Sequence, residues 1–133
     1  MSGTRDMGIW QLLAATICML ILARMPAAIA GELSSSALSA LIAGNIWVSE
    51  DADGTPFWIN WDADGSFCLK SNSNAAGQPC ELEGTWRMER AKYCMRPSSG
   101  DWEQCLRVSD EGGGNFNSLL DDGSVDFTWS VEE

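Results

Sequence analysis

The chain has 133 residues, with 8 basic and 19 acidic side chains, no histidine and a formal net charge of −11. Over residues 31–133, Lys70, Arg87, Arg90, Lys92, Arg96 and Arg107 face eighteen carboxylates, a balance that repels nucleic acid and anionic membrane surfaces and leaves a cationic partner open. Without imidazole, Ser-His-Asp and Cys-His catalysis in their usual forms are excluded, as are the commonest metal ligand and the usual neutral-pH general base.

The N-terminal 30 residues read as a secretory signal. Arg5 sits in a short polar start, a mostly apolar run spans Leu12 to Ala23, and Ala28-Ile29-Ala30 supplies a small-x-small ending. Cleavage is expected before Gly31. A retained membrane anchor is the competing reading, but spanning needs about 20 apolar residues, and Arg24 and Pro26 break the run. No cysteine stands at the cleavage point to carry a lipid, and Cys18 would leave with the signal.

Residues 31–44 read as a helical lead-in to a β domain at 45–133, together one domain. Ser34 can cap a helix reaching Ala43. Leu33, Ala37, Leu38, Leu41 and Ile42 recur at helical spacing, and Gly44 suits the exit. So short a helix must pack on the rest.

From Asn45 the apolar period changes to two. Thr55 to Trp61 puts Phe57, Ile59 and Trp61 on one face, and Ser66 to Lys70 puts Phe67 and Leu69 inward. Leu82 to Met88 places Leu82, Gly84, Trp86 and Met88 on one face. Val125 to Val131 places Val125, Phe127, Trp129 and Val131 inward. Ser71 to Gln78 is a polar loop, while Glu111-Gly112-Gly113-Gly114 and Asp121-Asp122-Gly123 are turns. The fold class is therefore all-β: an antiparallel meander of about eight short strands, forming a small barrel or sandwich behind a short N-terminal helix.

Cys68, Cys80, Cys94 and Cys105 survive cleavage, and an even count in a small exported domain reads as two disulfides. A zinc site would need Cys-x2-Cys or histidine spacing, and neither is present. Setting Cys94 opposite Cys105 across Pro97-Ser98-Ser99-Gly100-Asp101 also sets Tyr93 opposite Leu106 on the inner face. The same register places Arg96 against Glu103 and Lys92 against Arg107. Cys68–Cys80 follows by exclusion.

Three features invite a functional reading. Asp51-Ala52-Asp53-Gly54 and Asp62-Ala63-Asp64-Gly65 resemble the first half of a calcium loop, making Asp51, Asp53, Asp62 and Asp64 the calcium candidates. Both segments lack the acidic twelfth position, and Asp-Gly hairpin turns explain the same letters without metal. No other cofactor is expected. Second, Trp58 lies on the face opposite Phe57 and Ile59, where it can stack on a ligand or be covered by the N-terminal helix. Third, paired carboxylates could serve a hydrolase, although chance supplies such pairs among so many acids.

The order of these elements resembles a group of small, uncharacterised exported β proteins of proteobacteria. The likeness rests on Gly44-Asn45-Ile46-Trp47 after the helix, Gly84-Thr85-Trp86, Tyr93-Cys94 with Cys105-Leu106-Arg107-Val108, and the late Asp122-Gly123 turn. It implies a lipocalin-like or related architecture in the periplasm and carries over no catalytic residues. Cys68 and Cys80 are additions to that pattern. The reading is a non-catalytic periplasmic or secreted binding domain for an envelope protein or small ligand, an inhibitor of a cationic enzyme being one form. It is not inserted in a membrane once cleaved. The alternatives are a calcium-stabilised structural module and a carboxylate hydrolase.

Overall fold

The alternation of apolar and polar residues between Asp-Gly turns produces eight antiparallel strands. They are β1 (Ile46–Glu50), β2 (Pro56–Trp61), β3 (Ser66–Ser71), β4 (Leu82–Glu89), β5 (Lys92–Pro97), β6 (Gln104–Gly112), β7 (Asn115–Leu119) and β8 (Val125–Val131). Each pairs with the next, and β8 returns to β1, so the sheet closes as a barrel. The computed structural model describes residues 31–133; the expected signal segment and Cys18 lie outside the described residues. Among the described residues no helix is long and apolar enough to cross a membrane.

The helix α1 (Ser35–Ile42) begins where the Ser34 hydroxyl accepts from the Ala37 N–H at 3.3 Å. The chain leaves it through Gly44 at φ 77°, whose N–H donates to the Trp61 carbonyl. Leu38 and Ile42 are fully buried against the barrel core, Leu33 and Leu41 partly so, while Ala37 faces solvent. The Trp47 indole N–H donates to the Leu41 carbonyl at 2.9 Å, and the Asn45 side-chain amide donates to the Ala40 carbonyl. Two carbonyls from the last turn thereby find partners in the barrel's first residues.

Aromatic rings fill the space inside. Trp47 stacks on Trp129 with centroids 3.4 Å apart, and meets Trp61 and Tyr93 edge-on at 4.9 and 5.2 Å. Phe116 stacks on Trp129 at 4.7 Å. The polar tips are satisfied within this layer: the Tyr93 hydroxyl lies 2.7 Å from the Ser118 oxygen, which also accepts the Trp129 N–H at 2.9 Å. Burial pushes the Tyr93 phenol well above its ordinary pKa, so it stays neutral. Only the Trp61 indole N–H lacks a partner among the described buried side chains.

The disulfides join Cys94 to Cys105 and Cys68 to Cys80, and two such bridges fit a non-cytoplasmic protein. Register pairs Cys94 with Cys105 and Tyr93 with Leu106, as expected. The flanking charges differ from expectation. The β5–β6 ladder ends at Met95–Gln104, so Glu103 leaves it and takes Arg87 of β4 at 2.7 Å, not Arg96. Lys92 and Arg107 do not confront each other bare: Lys92 pairs with Asp121 at 3.1 Å, and Arg107 pairs with Glu32 and donates to the Leu120 carbonyl.

Val125 also departs from its expected inward position and is 51 % exposed. Ser118 pairs with Phe127 but Leu119 with Val125, so Asp126 is an extra residue in β8. One bulged residue reverses the in–out alternation beyond it.

Candidate functional site: an acid-rimmed groove at the barrel seam

Barrel closure is uneven. β1 pairs with β2 at five positions from Ile46–Asn60 to Glu50–Pro56, but with β8 only at Trp47–Val131 and Val48–Ser130. The Glu132 N–H donates to the Ile46 carbonyl, so the two-residue period of an antiparallel ladder puts hydrogen-bonded rungs at Ile46, Val48 and then Glu50 opposite Thr128. That last rung is not formed. The Ser49 hydroxyl donates to the Thr128 carbonyl at 2.5 Å instead, and past it the two strands part.

The parting opens a groove of about 740 Å³. Phe57 and Phe127, with centroids 6.0 Å apart and both half-buried, supply its apolar surface. Glu50, Asp51 and Asp126 stand exposed around it, and no basic side chain lines it. Asp126, the bulged residue of β8, lies at this rim. Such a surface attracts cations from solution and offers apolar contact on arrival.

The four calcium candidates fall in two separate turns at opposite ends of β2, roughly 20 Å apart at strand rise. In the first, Asp51 Oδ1 accepts from the N–H groups of Asp53 and Thr55. In the second, Asp64 Oδ1 accepts from the N–H and hydroxyl of Ser66, and Asp62 Oδ2 from the same hydroxyl. A third turn has the same build: the Leu120 N–H donates to the Ser124 carbonyl, the Gly123 N–H to the Leu120 carbonyl, and Asp122 Oδ1 accepts from Ser124. Leu120 stands there in the position of Asp51 and Asp62, so the backbone bonds of the turn do not need the first carboxylate, although in the first turn Asp51 supplies the side-chain cap that Asp64 and Asp122 supply in the others. Gly54, Gly65 and Gly123 take φ of 81°, 98° and 86°, the left-handed region glycine enters freely.

Trp58 lies half-buried on the outer face of β2, between Val48 and Lys70 in register. It is absent from the residues packed on the core around Leu38 and Ile42, so the helix turns its apolar side to the barrel interior, away from Trp58. Trp58 does not line the seam groove, although its neighbour Val48 does. Glu89 approaches Cys94 and Cys105, but their sulfurs are joined to each other and offer no thiolate to a metal. Reading the sequence alone missed Ser49, Glu50 and Asp126; Phe57 and Phe127 were legible as inward residues but not as lining a groove. No family model, curated protein or solved structure matches this chain.

The turns set an acid response. The Ser66 hydroxyl and amide hold the Asp64 carboxyl below its ordinary pKa, Ser124 does the same for Asp122, and the Arg87 guanidinium for Glu103. Folded values below the unfolded ones mean that the unfolded chain takes up protons first. The stability these groups contribute is complete above about pH 4 and is lost as pH falls through the folded values. Asp64→Asn with Asp122→Asn keeps an acceptor but removes the titration. The melting-temperature gap between wild type and this variant is expected to narrow from pH 5 to below pH 3; a constant gap contradicts the assignment.

Proposed function

We propose that this is an exported, non-catalytic binding domain, periplasmic or secreted, that holds a cationic protein partner at the seam groove, where β1 and β8 part. The observation that carries this reading is the packed lumen. Trp47, Trp61, Tyr93 and Trp129 are fully or almost fully buried along the inside of the barrel, where a ligand-carrying barrel would keep a cavity. Recognition therefore falls to the opening at the seam, which combines apolar surface from the inward-facing Phe57 and Phe127 with uncompensated negative charge. The two disulfides and the resemblance to small exported β proteins support the location.

The test is capture from an envelope extract at low ionic strength by the oxidised protein, by Trp58→Ala, and by Glu50→Lys with Asp126→Lys. A protein held by the first two and lost by the third is expected. Capture of nothing by the wild type, or equal capture by the charge-reversed variant, overturns the proposal.

A further inference from the structure

The chemistry of the occupant can be narrowed by the backbone as well as by charge. Resting on the binding reading above, we infer that the seam accepts an extended basic segment of the partner as an added β-strand between β1 and β8. The Glu50–Thr128 rung is the step after Val48–Ser130 that the register calls for and the barrel leaves unmade, the Ser49 hydroxyl standing in for half of it. Unpaired strand groups facing an open groove are a template for another strand.

The groove's surfaces match what such a strand presents. Alternate side chains of an extended segment point to opposite sides. One set would meet Phe57 and Phe127, and the other would reach the exposed carboxylates of Glu50, Asp51 and Asp126. A helical segment fits less well. Its backbone bonds are internal and its body is about 10 Å across, so it would leave Glu50 and Thr128 as they are. A small cation could satisfy the charge but neither the rung nor the apolar pair. A second copy of this chain is disfavoured by charge: it is itself strongly acidic, and three of its six cations in residues 31–133, Arg87, Lys92 and Arg107, are already joined to Glu103, Asp121 and Glu32.

The probe is the peptide acetyl-Lys-Val-Lys-Val-Lys-Val-Lys-amide, with two analogues N-methylated at the valines or at the lysines. N-methylation removes the N–H donors on one edge of the strand and keeps charge and side chains. At low ionic strength the parent peptide is expected to bind. At least one analogue should bind about tenfold more weakly, and hydrogen exchange at the Glu50 and Thr128 amides should slow on adding the parent. Equal binding by all three peptides, with exchange at those amides unchanged, overturns strand addition and leaves the cationic-partner reading standing. If the parent peptide fails to bind while the extract yields a groove-dependent partner, strand addition again falls alone. If neither binds, both readings fall.

Discussion

Removing both disulfides, by reduction or by Cys→Ala at 68, 80, 94 and 105, is expected to cost on the order of 6 kcal/mol, a large fraction of the domain's stability. The bridges span sequence separations of 12 and 11 and their loops do not overlap. In the chain-entropy account, a loop of that size is worth about 3 kcal/mol, and separate loops add. A domain of roughly a hundred residues has only about 5–15 kcal/mol in total. The bridges do not act alike in the folded state. Cys68–Cys80 ends a polar loop also held by the Asn60–Asn74 amide pair at 2.8 Å and by Gln78 on the Ser71 carbonyl. Cys94–Cys105 locks the register of β5 on β6, where Cys94 is fully buried. Urea unfolding with and without reductant measures the effect, and a midpoint unchanged by reduction contradicts it.

The second large effect is expected at Trp47. Trp47→Ala should cost about 4 kcal/mol, toward the upper range for loss of a buried aromatic. Trp47 touches Trp61, Tyr93 and Trp129, and its N–H also fastens α1 to the barrel through the Leu41 carbonyl. Its removal therefore opens a cavity at the centre of the ring cluster and releases the helix that carries Leu38 and Ile42 into the core. Trp58→Ala, on the half-buried outer face, should cost less than about 1 kcal/mol. Urea midpoints of the two variants test the contrast, and equal costs would contradict the placement of Trp47 in the core.

The fold was legible because its signals are local. Phe57-Trp58-Ile59-Asn60-Trp61 alternates, Asp64-Gly65 turns, and the strand that follows carries Phe67 on the side facing the same core. Cysteine pairing was legible for the same reason, since one register satisfied the sulfurs and the apolar face together. Where reading went astray, a non-local event intervened. Val125 fits a period of two perfectly well, but the Asp126 bulge, whose register is set by β7, reverses its direction. Glu103 faces Arg96 only if the hairpin ladder continues past Gln104; it stops there, and Arg87 on the other neighbour takes the carboxylate.

The seam is the extreme case. Nothing in Ile46-Trp47-Val48-Ser49-Glu50 states that its second neighbour will be a strand some eighty residues later, or that their pairing will end after Val48. Ser49 reads as an ordinary polar residue in a strand until Thr128 is placed beside it. The groove is therefore a property of closure, built from residues that are individually unremarkable. The Asp-Ala-Asp-Gly repeat is the converse: conspicuous in sequence, and accounted for by turns once Leu120-Asp121-Asp122-Gly123 is seen to adopt the same bonds.

The most direct measurement of the central claim is an amide-shift map of the oxidised protein titrated with the basic peptide. Binding at the seam of a packed barrel predicts shifts gathered at Val48–Ala52, Phe57 and Asp126–Ser130, with the indole signals of Trp47 and Trp61 unmoved. Shifts centred on those indoles, or on β4 to β6, would contradict it.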